Sequence, residues 1–273
     1  MAKGRTGKQS TISLTTHIQQ PGVIAAFLFL LSFALYLNTL SHDYALDDAI
    51  VITDNMYTTQ GVAGIPGILS HDTFFGFFKD AGKDNLVAGG RYRPLSLVFF
   101  ALEYSIWGAN PFWGHLINAL LYALTVWMLY HLLLLLFHRS GDKDYAPFVA
   151  FTAALLFATH PLHTEVVANI KGRDEILALL GSLGALYLSF SAFRQKTYSF
   201  PTALLVGLVF FAALLSKENA ITFLAVTPLA FWFFAGGEPK TIIRHALPFW
   251  IAGILFVALR SYILGFTLLE QPM

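Results

Sequence analysis

Apolar segments long enough to enter or cross a lipid bilayer recur along this chain, and no other feature limits its fold as strongly. Seven segments are apolar throughout: near 22–40, 111–137, 147–159, 174–192, 201–215, 220–235 and 246–266. A bilayer core of about 30 Å is crossed by about 20 helical residues. The sequence therefore predicts an all-α integral membrane protein, a multi-spanning helical bundle over 22–266.

The composition agrees with a membrane protein and excludes several kinds of site. Hydrophobic residues make up 56% of the chain, charged residues 12%, and the mean hydropathy is +0.62, which excludes an ordinary soluble domain. The net charge of +1 gives no sign of a nucleic-acid partner. Cysteine is absent, so disulfides and thiolate metal sites are excluded.

Lysine and arginine in the short loops predict the orientation. An N-terminal tail over 1–21 carries Lys3, Arg5 and Lys8, and further cations fall in alternate loops. Because cytoplasmic loops are enriched in such residues, we expect the N-terminus to be cytoplasmic, in a bacterial inner membrane or the endoplasmic reticulum. The first outer loop, 41–110, is then long, and two stretches within it, 65–78 and 94–107, predict helices lying in the membrane interface. A short tail, 267–273, follows the last segment.

The polar clusters of the chain all fall where an apolar segment ends on the predicted outer side. Their candidate site residues are Asp47, Asp48, Arg93, His160, His163, Glu165, Lys171, Arg173, Lys217 and Glu218. A protein that only spanned a membrane would have no reason to gather acids, imidazoles and guanidinium groups at one edge. The pattern predicts a polar functional site there.

The adjacent acids Asp47 and Asp48 lie within about ten residues of the first segment. Neighbouring carboxylates repel, which raises the pKa of one of them unless a cation intervenes. Such a pair suits a general base or a metal ligand. The alternative interpretation is a solvated turn or the N-cap of a helix.

The run HPLHTE places His160, His163 and Glu165 at the end of another segment. Two imidazoles and a carboxylate can hold a divalent metal ion, and Asp48 is a further candidate ligand. If the run is helical, His163 and Glu165 do not share a face. The alternative is a histidine pair at the membrane interface beside a helix that begins at Pro161.

Lys171 and Arg173 resemble an anion clamp, because arginine offers a bidentate fork to phosphate and lysine a point charge. At a membrane edge the expected anion is a lipid phosphate. The alternative is an ion pair between these cations and Asp174 or Glu175, or contact of the long side chains with headgroups.

Lys217 and Glu218 lie between two apolar segments with almost no loop, so both charges are close to hydrocarbon. Ionisable groups at that depth are functional by default. The alternative is that they neutralise each other. Arg93, next to Pro94, is a further candidate for binding lipid phosphate or substrate.

Several strings resemble the GT-C superfamily of membrane glycosyltransferases, and within it the transmembrane and tetratricopeptide-repeat O-mannosyltransferase family. They occur in the family's order across about 38–222, and read NTL at 38–40, YALDDAI at 44–50, RPLS at 93–96, NPFWGHLIN at 110–118, FATHPLHTEVVANIKGRD at 157–174 and SKEN at 216–219.

The resemblance implies transfer of a sugar, expected to be mannose, from a dolichyl- or undecaprenyl-type phosphate donor. The acceptor would be a hydroxyl of a protein or glycan on the extracytoplasmic face. Asp47 would be the general base, Asp48 would support it or hold a metal, and Glu165 and His163 would orient the acceptor or bind a divalent ion. The residues left to hold lipid phosphate and substrate are Arg93, Lys171, Arg173, Lys217 and Glu218.

The family usually continues with more spans and an array of helical repeats. The chain is therefore expected to be a fragment, a short member, or half of an enzyme that needs a partner chain or a C-terminal repeat domain. The rival class is a lipid or ion transporter, which would place charges near mid-membrane and break its helices in paired halves. A structural scaffold would leave the acid pair and HPLHTE unexplained.

Overall fold

The computed structural model describes residues 20–45, 47–78, 90–137 and 145–265, and within these ranges it contains helices and turns but no β-strand. The α-helices found there are α1 Pro21–Ala34, α2 Ile65–Ser70, α3 Phe75–Phe78, α4 Pro94–Trp107, α5 Pro111–Phe137, α6 Ala146–Ala158, α7 His163–Ala168, α8 Arg173–Gln195, α9 Phe200–Ser216, α10 Phe223–Phe234 and α11 Pro239–Leu264. The all-α class expected from the sequence is confirmed.

In the part of the chain that the structure describes, four helical stretches are long and apolar enough to cross a membrane by length and composition: Pro21–Ser41, Pro111–Phe137, Ile170–Gln195 and Pro239–Leu264. The other apolar helices are shorter. At 1.5 Å per residue, the 13 residues of α6 rise about 20 Å, less than the bilayer core of about 30 Å. The protein is a multi-pass membrane protein.

The predicted segments match helices, with one clear difference in their bounds. The last segment was expected from 246, but α11 begins at Pro239. The apolar segment begins at 246 because the residues before it are polar. The helix begins seven residues earlier, because a helical backbone tolerates polar side chains outside the hydrocarbon. The tails expected over 1–21 and 267–273 lie outside the described residues, apart from residues 20 and 21.

Helix α8 is the centre of the bundle, packed between α5 and α9. Helices α1 and α6 pack on α5, and α9 packs on α11, which also holds α10. Aromatic rings fill the core between α8, α9, α10 and α11, where Phe190 stacks on Phe231 at 4.1 Å between ring centroids. Between α1, α5 and α6, alanines such as Ala119 and Ala150 are fully buried. Small side chains of this kind let membrane helices approach closely.

The described residues between α1 and α4 form a layer against α4. Its turn of 3₁₀ helix, Thr58–Gly64, packs along α4, and Val62 N donates a 2.9 Å hydrogen bond to Ser105 Oγ. Val51 and Ile52 are buried in the same small core as Ile170. This layer therefore brings the segment that follows Asp48 against the residues that precede α8.

Candidate active site at one end of the bundle

Four charged residues at the start of α8 reach four different parts of the protein. Successive residues of a helix point about 100° apart, so charges that are adjacent in sequence diverge in space. Lys171 approaches Asp47, Arg173 binds Glu103, Asp174 binds Arg93 and Glu175 binds Lys217. The beginning of α8 is the centre of a charged cluster built from the segment between α1 and α4, α4 itself, α8 and the segment after α9.

Glycine at position 172 permits this cluster to form. A Cβ atom there would lie 2.1 Å from the carbonyl oxygen of Val166 in α7. Because that contact is with backbone, it could be relieved only by moving α7 or the start of α8. The short turn from α7 to α8 therefore requires glycine for close approach of two backbones.

Arg93 connects α4 to α8 and to the segment that follows α9. Its Nε and Nη2 donate to the two carboxylate oxygens of Glu218 at 2.8 and 2.6 Å, and its Nη1 donates to Asp174 Oδ2 at 2.8 Å. Such a bidentate pair is among the stronger hydrogen-bonded arrangements. Only 6% of Arg93 is exposed, so both acids occupy the guanidinium group that the sequence suggested for lipid phosphate.

Lys217 has two carboxylates as neighbours, and they differ in how far their side chains are exposed. It donates to Glu175 Oε1 and lies 3.5 Å from Asp174 Oδ1. Asn219 Nδ2 donates to the other oxygen of Glu175 at 2.7 Å. The alternative, that Lys217 and Glu218 pair with each other, is not what the structure shows. Lys217 is paired with Glu175, and Glu218 with Arg93.

Arg173 is completely enclosed. Its Nε donates to Asn118 Oδ1 at 2.8 Å, its Nη1 to Glu103, and its Nη2 to the carbonyl oxygen of Gly114 at 3.0 Å. The guanidinium carbon lies 4.6 Å from the centroid of the Phe100 ring, within cation–π range. With no exposed surface, Arg173 holds α4, α5 and α8 together. The alternative pairing with Asp174 or Glu175 is not formed; the partner is Glu103.

Asp47 and Asp48 are adjacent but have opposite environments. Asp48 is fully buried, and its two oxygens accept hydrogen bonds from the backbone N–H groups of Lys171 at 2.7 Å and Ala45 at 3.0 Å. Burial raises the pKa of Asp48, and these backbone donors partly offset that effect. Asp47 keeps 55% of its side chain exposed and has Lys171 Nζ at 3.4 Å from Oδ2.

The HPLHTE run forms the turn before α7 and its first residues. The rings of His160 and His163 are 5.8 Å apart, edge to face, and His163 packs against Phe157 at 4.2 Å. Burial, with a further contribution from His160, lowers the pKa of His163. Glu165 is exposed, and its neighbour at 163 is on a different helical face, as expected.

The residues suggested for a divalent metal do not converge. In the ranges that the structure describes, no three histidine, aspartate or glutamate side chains are placed to hold a metal ion. Asp48 has both oxygens engaged by backbone donors, while His160 Nδ1 accepts from Leu162 N at 3.2 Å. The expectation of a site made of Asp48, His160 and His163 is therefore not met by this arrangement.

A cavity of about 270 Å³ opens beside the charged cluster. Glu175, Asn219 and His163 lie at its polar end, and Leu179 and Ser182 line its wall along α8. From Glu175 to Ser182, α8 rises about 10 Å. The cavity thus extends from the polar site towards the interior of the bundle.

The sequence did not single out Glu103, which accepts a hydrogen bond from Arg173 Nη1. It lies inside the apolar helix α4. A single charge in an apolar helix predicts a buried partner, so the signal was present in the sequence. Asn118, which was noted only as part of a motif, also donates to the carbonyl oxygens of Asn169 and Ile170 at 3.0 and 3.2 Å.

Comparison with known proteins gives a consistent set of relatives. Protein O-mannosyl-transferase Tmtc1 of Drosophila melanogaster is 33% identical over 200 residues, covering 73% of this chain and 21% of the relative. Human protein O-mannosyl-transferase TMTC2 is 34% identical over 200 residues, covering 72% and 22%. Drosophila Tmtc2 is 32% identical over 229 residues, covering 82% and 23%.

The chain spans about a fifth of the length of these curated relatives. No family profile matches it, and neither does any solved structure. The similarity therefore covers most of this chain but a small part of each relative.

Proposed function

This chain belongs to the family of TMTC protein O-mannosyl-transferases, and we propose that it transfers mannose from a polyprenyl-phosphate donor to a hydroxyl group of a protein. The donor would be of the dolichyl or undecaprenyl type, and the reaction would take place on the extracytoplasmic face. Because the aligned part covers only about a fifth of each relative, a partner chain or further sequence would complete recognition of the acceptor.

The observation that carries this proposal is the different environment of the two adjacent acids. Asp47 is exposed and close to a cation, whereas Asp48 is buried and fixed by two backbone N–H groups. A general base must reach the proton that it removes, which only Asp47 can do for an acceptor arriving from water. Asp48 holds the loop that presents Asp47.

In the proposed reaction the acceptor oxygen forms a bond to the anomeric carbon of the sugar as the bond from that carbon to the phosphate oxygen breaks. The acceptor proton passes to Asp47, and the electron pair of the broken bond leaves with polyprenyl phosphate. Negative charge grows on the phosphate, and preorganised cations stabilise such charge. Lys171 and Lys217 are the two most exposed cations of the cluster, at 19% and 15% of their side chains.

The buried arginines have a different role in this proposal. Arg93 and Arg173 are held by carboxylates, by an amide oxygen and by a carbonyl oxygen. A phosphate would have to displace these partners from the protein interior, which leaves buried acids without a counterion. We therefore assign both arginines to positioning of the cluster. Glu165 and His163 lie at the rim, where they could orient the acceptor.

The placement of the cluster favours a transferase over a transporter. Six ion pairs lie together around the beginning of α8, at one end of the bundle. A pathway across the membrane would need polar groups along its length. A site confined to one edge suits a lipid-linked donor that meets a soluble acceptor.

The test is transfer of radiolabelled mannose from polyprenyl-phosphate mannose to acceptor protein by the complete enzyme. Asp47→Asn should lower the rate by about 10²–10⁴-fold without changing stability, since Asp47 is exposed. Asp48→Asn should also destabilise the protein by about 1–3 kcal/mol, because an amide NH₂ would face a backbone N–H donor.

Asp54→Asn is the matched control, because Asp54 is exposed on the same outer loop and is not part of the charged cluster. Its rate should equal that of the wild-type enzyme. Turnover of Asp47→Asn at the control rate would remove Asp47 from the reaction.

A further inference from the structure

The cavity beside the cluster combines a polar end with an apolar wall, which suits a lipid that carries an anionic headgroup on an apolar chain. Its wall contains hydroxyl groups, but these already donate to backbone carbonyl oxygens: Thr125 to Leu121 at 2.8 Å and Ser182 to Ala178 at 2.7 Å. The wall therefore presents mainly methyl and methylene groups. An apolar chain can lie there without leaving a polar group unsatisfied.

Lys217 reaches the cavity through Glu175, a lining residue to which its Nζ donates, and its second acid, Asp174, is more deeply buried than Glu175. Only 4% of the Asp174 side chain is exposed, and Arg93 also holds it. By contrast, 35% of the Glu175 side chain is exposed. Glu175 can turn towards water without leaving a buried charge, whereas Asp174 cannot. Of the two carboxylates on Lys217, Glu175 is the one that an incoming anion can replace.

We propose, on the basis of the function proposed above, that Glu175 occupies Lys217 when no donor is bound and that the donor's phosphate replaces it. The isoprene units nearest the phosphate then lie in the cavity along α8. One singly charged phosphodiester takes the place of one carboxylate, so the charge around Lys217 is unchanged. Asn219, which donates to Glu175 at 2.7 Å, holds the displaced acid near the cavity.

This exchange makes Glu175 a residue that weakens donor binding. An acid that competes with the ligand for the same cation reduces affinity by the free energy of its own pairing. For a partly exposed ion pair that is about 0.2–1 kcal/mol, and RT of about 0.59 kcal/mol converts it to a factor of about 1.4 to 5. Removing this acid should therefore tighten binding, an effect opposite to that of removing an ordinary contact.

The experiment measures binding of polyprenyl phosphate, without the sugar, to the full-length protein in nanodiscs of neutral phospholipid. Glu175→Gln, which keeps a hydrogen-bond acceptor for Asn219, should bind about 1.4- to fivefold more tightly than wild type. Lys217→Met should bind at least about tenfold more weakly, because a charge-assisted contact is lost. Asp54→Asn is the matched control for charge and should bind as wild type does.

A second pair of variants tests the place of the lipid chain. Thr222 lines the cavity and is exposed, and Ile221 is its exposed neighbour that does not line it. Thr222→Trp should weaken binding of polyprenyl phosphate but leave inorganic phosphate unaffected. Ile221→Trp should change neither. Equal effects of the two tryptophans would overturn the assignment of the cavity.

The remaining arms separate the possible failures. If Glu175→Gln does not bind more tightly while Lys217→Met binds more weakly, the exchange is wrong but the proposed function stands. If wild-type protein binds neither polyprenyl phosphate nor polyprenyl-phosphate mannose, both are wrong. Nanodiscs of phosphatidylglycerol supply a common anionic headgroup; equal competition by that lipid would identify a general headgroup site and overturn the donor assignment.

Discussion

Arg173 gives the sharpest test of the structural reasoning, because sequence and structure assign it different roles. We consider Arg173→Met, which keeps a long flexible side chain and removes the guanidinium group. The structure shows three hydrogen bonds from that group and a position over the Phe100 ring. Removing one partner of a buried ion pair costs about 3–5 kcal/mol, because the other is left as an uncompensated buried charge. Glu103 would be that charge.

The companion variant is Arg173→Met combined with Glu103→Leu. Replacing both members of a buried pair by apolar residues is often neutral, but here Asn118 and Gly114 would still lose a donor. Each such unsatisfied acceptor costs about 1–3 kcal/mol. We therefore expect the double variant to recover part, but not all, of the stability lost in Arg173→Met. The positive coupling between the two substitutions measures the pair itself.

The assay is unfolding in mixed micelles with increasing denaturing detergent, followed by circular dichroism. Lys240→Met, which removes an exposed cation at the start of α11, should change the free energy of unfolding by no more than about 0.5 kcal/mol. A loss below about 1 kcal/mol for Arg173→Met, together with weaker binding of polyprenyl phosphate, would refute a positioning role. It would restore Arg173 as a ligand of the phosphate.

Two further predictions concern topology and backbone packing. Because the chain has no cysteine, single cysteines at Asp54 and Lys240 should react with a membrane-impermeant maleimide from opposite sides, Asp54 from outside; labelling from one side would contradict the orientation. In the same unfolding assay, Gly172→Ala should destabilise the protein by about 1–3 kcal/mol, because the new Cβ would meet the backbone of Val166. The control is Gly184→Ala, whose Cβ would have only an ordinary contact at 3.9 Å; it should be neutral or stabilise the protein by up to about 1 kcal/mol.

The sequence was sufficient to predict the helices and the edge at which the charges gather. Both depend on local properties. The length of an apolar segment determines whether its helix can cross a membrane, and charged residues mark where that helix leaves the hydrocarbon core. Pro94–Trp107 was predicted as a helix and is one. The end of an apolar run does not determine the end of a helix, which is why α11 begins before the predicted segment.

The partners within the cluster could not be predicted, because they join residues distant in sequence. Arg93 and Glu218 are 125 positions apart, and Arg173 and Glu103 are 70 apart. The sequence suggested Arg173 as a ligand of lipid phosphate, with a pair to its neighbours Asp174 or Glu175 as the alternative, but consecutive helical residues point in different directions. Only the packing of α4 against the beginning of α8 determines which acid meets which cation.

The balance of charge in the cluster has a consequence for the proposed reaction. Four cations face six carboxylates, a formal excess of two negative charges: Arg93, Lys171, Arg173 and Lys217 against Asp47, Asp48, Glu103, Asp174, Glu175 and Glu218. A donor phosphodiester carries one negative charge, whereas the released phosphate monoester carries about 1.5 to 2 at neutral pH. An acid-rich site repels the second more than the first. The carboxylates that hold the cations in place would therefore also favour departure of the spent lipid, with Glu175 returning to Lys217 as it leaves.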